Sequence, residues 1–364
     1  MGAQFPCQGA LLFSFWTITY YFGRQKKVCL IRMEQRSEQP LKPTSHQPNY
    51  VPIDLDITIA NGENVWLDQG FAWLVRSFAF GTVAVLFWMS WVIFQKAQPA
   101  IQKFGLGFLW GQDWNVGNLT FGALPYIYGT LVSSVIALVL AVPVGLAVAL
   151  VASEDFLPLW VRSPLAFVVE LLASIPSVII GLWGIFVLIP FLRPIQEGLY
   201  QYFRWIPLFS TQTSGYSVLT AGVILAIMIL PTMAAISRDV LLAIPNELRS
   251  GSMSLGATRW ETIFGVLLSA GASGILGAVI LALGRAFGET MAVTMVIGNT
   301  PQISLSLLDA ASTIPSVMVN EFGEALESLH IGALMYLALI LFTLTLLVNI
   351  AAVIMVRFIS WQRG

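Results

Sequence analysis

Six long runs of apolar positions, at 71–95, 125–151, 163–192, 216–237, 267–299 and 331–357, alternate with shorter polar stretches along this chain. Each run is long enough to cross a hydrocarbon core of about 30 Å as a helix rising ~1.5 Å per residue. The pattern therefore predicts an all-α integral membrane protein with six transmembrane helices over residues 71–357, followed by a short tail at 358–364. The fifth run exceeds what a bilayer needs, so it is expected to tilt, or to begin or end outside the lipid. Pro143, Pro176, Pro190, Gly181 and Gly184 fall inside these runs; such residues suit membrane helices better than soluble ones. Arg76, near the start of the first run, can reach the interface along its own stem.

Ahead of the first run the pattern changes twice. Residues 34–70 are polar, contain Pro40, Pro43, Pro48 and Pro52, and read as a disordered tail. Residues 1–32 hold one apolar run, LLFSFWTITYYF, followed by Arg24, Lys26 and Lys27. That run is too short to span a bilayer, and in a signal peptide the basic residues precede the apolar region rather than follow it. Residues 1–70 read as an N-terminal extension, and the simplest account of its first 32 residues is a start assigned too early, with translation beginning at Met33.

Composition strengthens the membrane reading: 57% of residues are hydrophobic, 10% are charged and the mean hydropathy is +0.80. Soluble domains are roughly 25% charged. A formal net charge of -1 argues against a nucleic-acid partner. Cys7 and Cys29 lie at the extreme N-terminus, so no disulfide framework is expected in the main body, and His46 and His330, far apart, suggest no metal site. No phosphate loop of the Gly-x-x-x-x-Gly-Lys-Ser/Thr type and no serine or cysteine triad is present, so no catalytic residue is assigned and the chain reads as a transport or channel subunit. With the N-terminus inside, the cytoplasmic segments hold thirteen Lys and Arg against four on the other side, which puts both termini in the cytoplasm. Asp309, Glu321, Glu324 and Glu327, without a nearby Lys or Arg, suit the opposite side.

Between the fourth and fifth runs lies AIPNELRSGSMSLGATRWETIF, residues 243–264. Pro245 is suited to opening a short helix, Gly256 to a sharp turn, and a second helical run starts at Thr258 or Arg259. A short surface helix tied at both ends to membrane helices suits docking on a cytoplasmic partner; it is equally an ordinary connection.

This loop resembles the coupling motif of binding-protein-dependent ABC importer permeases, with Gly256 in the glycine place and Val266 and Leu268 in the apolar places. Ser250, Gly251 and Ser252 depart from the usual Glu-Ala-Ala, and Ser269 from the usual proline; Glu247 supplies a nearby charge. FGLGFLWGQDWNV, FGALPYIYGTL, ELLASIPSVIIGLWG, LGRAFGETMAVTMVIGN and NEFGEA together resemble the C-type permease subunits of bacterial phosphate importers, over about 71–357. The resemblance implies the type I ABC importer permease fold in the bacterial inner membrane, with a coupling helix near 245–256 and Glu247, Ser250, Gly256, Ala257 and Thr258 facing the ATPase. It implies three partners besides the bilayer: a homologous second permease, a cytoplasmic ATPase dimer, which binds the ATP and magnesium that this chain does not hold, and an external phosphate-binding protein. Rival expectations are the sister permease, a sulfate or molybdate permease of the same class, a membrane protein with a structural or signalling role, and an ion-coupled carrier or channel.

LGRAFGETMAV, residues 283–293, carries two full charges inside an apolar run. On a continuous helix Arg285 and Glu289 share a face and can pair, which reduces the cost of about 2.5–3.5 kcal/mol for a lone arginine at a helix centre. The pair is either a lock between helices or, as the resemblance implies, part of a phosphate pathway in which Arg285 forks onto phosphate oxygens and Glu289 holds the arginine between anions and accepts a hydrogen bond from a protonated anion. Thr290 and Thr294 are candidate hydroxyl donors beside them. Glu170 is a further charge in an apolar run, read mainly as interfacial, and Gly274, Ala278 and Ala282 predict close helix packing.

Overall fold

The computed structural model describes residues 65–154, 156 and 158–361. The extension at 1–64, with both cysteines, Met33 and His46, lies outside the described residues, as does the side chain of Glu170. Of residues 1–71, only the opening turns of the first helix are described, while residues 72–364 cluster as one compact unit.

Among the described residues six helical segments are long and apolar enough to cross a membrane: Gln69–Leu109, Leu124–Ser153, Ser177–Phe203, Val218–Leu242, Arg259–Gly288 and Ser328–Arg357. The first is formed by α1 (Val65–Phe104) and the 3-10 turn Gly105–Leu109 that follows it; α1, at ~1.5 Å per residue, is about 60 Å long, twice the hydrocarbon thickness. The second is α2 (Leu124–Ser153). The run expected at 163–192 is divided: α3 (Leu159–Ala173) stops before Pro176, and the span is made by α4 (Ser177–Trp183), a π-helical turn at Gly184–Leu188 and α5 (Ile189–Phe203). Proline ends α3 because it lacks an N–H and turns the residue before it away from helix; Pro176 itself is extended, with ψ 135°.

Helix α6 (Val218–Leu242) is the most buried span, and small residues let its neighbours approach closely. A methyl group on Gly145 of α2 would meet Met233, and one on Gly222 of α6 would meet Ile136. Gly274, Ala278 and Ala282 behave as expected: both alanines are buried, and Gly274 faces Val240 of α6. The first N–H groups of α6 are satisfied by Ser217 Oγ, which accepts from Thr220, and by the carbonyls of Asp309 and Leu307, which accept from Val218 and Leu219.

The long fifth run is also interrupted. After α7 (Asn246–Ser254) and the short α8 (Arg259–Glu261), a π-helical stretch, Thr262–Leu267, leads into α9 (Leu268–Gly288). That helix ends at Gly288. Glu289 is extended, with φ −71° and ψ 123°, and α10 (Met291–Val296) follows as a separate short helix. The excess length of the run is thus absorbed by a break rather than by tilt alone.

Helices α11 (Ile314–Glu321) and α12 (Ser328–Trp361) complete the chain. The far end of α1 packs on α12 through Ala97, Ala100 and Gly332, and Phe108 stacks on Tyr336 at 4.6 Å between ring centroids. Beside this contact the Glu321 carboxylate accepts from Trp114 Nε1 at 2.9 and 3.1 Å and lies 2.9 Å from His330 Nε2. Phe121 stacks on the His330 ring. Inside the bundle Gln196 bonds Ser217, Thr220 and Thr213 through its amide, so this fully buried polar side chain is satisfied.

Candidate functional site

Arg285 lies in the last turn of α9, and its side chain is exposed on the single chain despite standing in a membrane-spanning helix. Its Nη1 donates to Thr232 Oγ1 at 3.1 Å. Thr232 follows Pro231 inside α6, and nothing in the apolar pattern of that run marks it as a partner for an arginine in another helix. The remaining guanidinium donors have no hydrogen-bond partner among the described residues.

Glu289 does not pair with Arg285. The expected pairing requires an unbroken helix, and the break after Gly288 removes the four-residue register that would bring the two side chains together. The Glu289 carboxylate, half-buried, makes no ion pair or hydrogen bond among the described residues. Thr294 Oγ1 donates to the Thr290 carbonyl at 2.7 Å, so its hydroxyl proton is used within α10. Thr290 lines an open apolar groove of about 480 Å³ with Gly288, Pro315, Met318 and Phe322.

Two charges with unused hydrogen-bonding capacity thus flank the end of a candidate membrane span, Arg285 in its last turn and Glu289 just past it. Isolated charges there are costly and are found facing a bundle interior, a partner or a water-filled path. Non-helical backbone at membrane depth is likewise tolerated where it lines a cavity or is covered by protein. A guanidinium held at one corner keeps its other N–H donors available, and such donors suit an oxyanion in shape and charge.

At the α7 end of the bundle, Pro245 is the residue before the helix and α7 begins at Asn246. Glu247 and Ser250 are exposed, with Ser250 Oγ bonded to the Asn246 carbonyl. Gly256 has φ +90°, a conformation open to glycine at little cost, and reverses the chain. Ala257 is half-buried, and Thr258 caps α8: its hydroxyl accepts from Glu261 N–H while the Glu261 carboxylate accepts from Thr258 N–H. Ser252 Oγ lies 3.1 Å from Thr262 Oγ1, fastening α7 to the span that follows. Leu248, Met253 and Leu255 are exposed apolar side chains on this surface.

Comparison with known proteins gives the same class. Residues 141–361 match the family described as "Binding-protein-dependent transport system inner membrane component". The phosphate transport system permease protein PstC of Mesorhizobium japonicum is 43% identical over 277 residues, covering 75% of this chain and 84% of that protein. The PstC protein of Pasteurella multocida is 43% identical over 270 residues, covering 73% and 84%. A crystal structure of a bacterial alginate ABC transporter, bound to its alginate-loaded periplasmic protein, aligns with a TM-score of 0.54 at 16% identity, over 82% of this chain and 99% of the other. At that identity the likeness concerns the fold alone, which is that of ABC importer permeases.

Proposed function

The chain belongs to the binding-protein-dependent transport system inner membrane component family, and from that premise we propose that it is a permease subunit through which an ATP-driven importer moves inorganic phosphate into the cell. The relatives named as phosphate permeases support the substrate. The observation that carries the site is Arg285, an arginine inside a span with one bond to Thr232 and its other donors unused.

In this reading Thr232 holds one edge of the guanidinium, so the fork is oriented before the anion arrives. Phosphate oxygens take the remaining donors. Glu289, displaced from Arg285 by the helix break, is free to accept a hydrogen bond from the proton that phosphate keeps at neutral pH. Sulfate lacks that proton, and its charge would meet the carboxylate unrelieved; this gives selectivity by repulsion as well as by attraction. Thr290 and Thr294 line the approach. ATP and magnesium belong to an ATPase pair docked on α7 around Glu247, Ser250, Gly256, Ala257 and Thr258. A second permease covers the exposed face of Arg285, and an external binding protein delivers phosphate. Both termini face the cytoplasm, and this chain itself carries out no chemistry.

The test is labelled-phosphate uptake in cells lacking this gene, restored with the wild type or with Arg285→Gln at matched membrane levels. Wild type should restore uptake that arsenate competes for and sulfate does not, and Arg285→Gln should leave it abolished. Normal uptake by Arg285→Gln would remove Arg285 from the pathway; wild-type uptake blocked by sulfate would reassign the anion.

A further inference from the structure

Arg249, in the middle of α7, uses every donor it has on the protein. Nε and Nη2 donate to Glu154 Oε1 at 3.2 and 3.1 Å, Nη1 donates to the Ile244 carbonyl at 2.8 Å and Asn246 Oδ1 at 3.1 Å, and Nη2 also donates to the Leu241 carbonyl at 2.7 Å. A guanidinium has about five N–H donors, so this fork is saturated. Its side chain is 16% exposed and that of Glu154 18%.

The partners belong to different parts of the bundle. Leu241 and the Ile244 carbonyl stand at the C-terminal end of α6, where a cation complements the helix dipole. Glu154 is the residue immediately after α2. On the other side of that helix end, Arg162 of α3 donates to the carbonyls of Ala152 and Ser153. Beneath the charges Ala149, Leu241, Ile263 and Leu267 form one apolar cluster. Thr232, the residue that holds Arg285, lies about two and a half turns from Leu241 on the same helix.

We propose that Arg249 is the positioning residue that makes α7 move as one body with the ends of α2 and α6, so that a displacement of α7 reaches Thr232 and Arg285. An apolar contact would let α7 slide over its neighbours. A saturated fork resists this, because leaving either helix strands a half-buried charge or a carbonyl. The proposal rests on the reading of α7 as the segment that docks on the ATPase.

The experiment uses the complete importer, with both permeases, the ATPase pair and the phosphate-binding protein, in proteoliposomes. ATP hydrolysis and phosphate uptake are measured together for the wild type, Glu154→Gln and Arg249→Lys. Both variants are expected to assemble and to hydrolyse ATP, with phosphate imported per ATP reduced about fivefold or more. A Glu154→Cys/Arg249→Cys pair, in a chain freed of Cys7 and Cys29, should show the same loss and regain coupling when a short, reducible thiol cross-linker bridges it. Reduction should abolish coupling again.

Two results overturn the proposal: an unchanged uptake-to-hydrolysis ratio in Glu154→Gln and Arg249→Lys, or a cross-link that blocks uptake, which would mean that the two positions separate during the cycle. If Glu154→Gln does not assemble, Arg249→Lys, which keeps the charge, decides. A wild-type complex that imports no phosphate sinks the importer reading, whereas wild-type import with unaltered variants sinks only the clamp.

Discussion

An arginine and a glutamate four residues apart invite the reading of a pair, and the backbone between them cancels it. The turn at Glu289 leaves Arg285 to Thr232 and leaves the carboxylate without a partner among the described residues. The charges were legible in the sequence because a bilayer makes every charge conspicuous. Thr232 was not, because a threonine in a membrane helix ordinarily bonds its own backbone and its partnership with Arg285 is a contact between distant helices. If Thr232 orients the guanidinium, Thr232→Val should slow phosphate uptake without lowering membrane levels. A hydrogen bond to a charged group contributes about 1.5–3 kcal/mol, which corresponds to roughly tenfold to a hundredfold in rate. Uptake kinetics across phosphate concentrations check this, and an unchanged rate would mean that Arg285 orients itself.

At the scale of elements, apolar runs mark membrane crossings well, since length and hydropathy are what a bilayer selects. They say little about where a helix stops within a run. Ser174–Pro176 and Gly288–Thr290 are both breaks inside apolar sequence; the first has a proline to announce it, whereas the second has only a glycine followed by a charge. Packing between elements is equally hidden. Gly129 of α2 sits so close to the segment before α11 that an added Cβ would lie 2.1 Å from the Ser312 carbonyl oxygen. Backbone cannot yield as a flexible side chain does, so Gly129→Ala should destabilise the folded chain by about 1–3 kcal/mol. Gly277→Ala, in open space on α9, is the control and should be near neutral. Thermal unfolding of the detergent-solubilised proteins compares the two; equal midpoints would mean that the Gly129 crossing is looser than its geometry implies.

The molecule as a whole is unfinished on its outer faces. Phe71, Trp73, Phe78, Phe87 and Trp88 of α1 and Val178, Ile179 and Leu182 of α4 are exposed, and so is Arg285. Lipid can cover the apolar side chains, but it is a poor neighbour for a guanidinium. Produced without the second permease, the chain should therefore support no phosphate uptake, and uptake should return when all the partners are present. Uptake by the chain alone, without ATP, would favour the ion-coupled carrier instead. The attachment of α1 at its far end also bears on how the chain is made. Ala100 meets Gly332 only after roughly 230 further residues have been synthesised. At about 5–20 residues per second that is some tens of seconds, during which the first helix waits in the bilayer without its docking site. Its nearly uncharged surface, with Arg76 as the exception between Phe71 and Phe94, lets it reside there by itself, and the last helix then closes the bundle upon it.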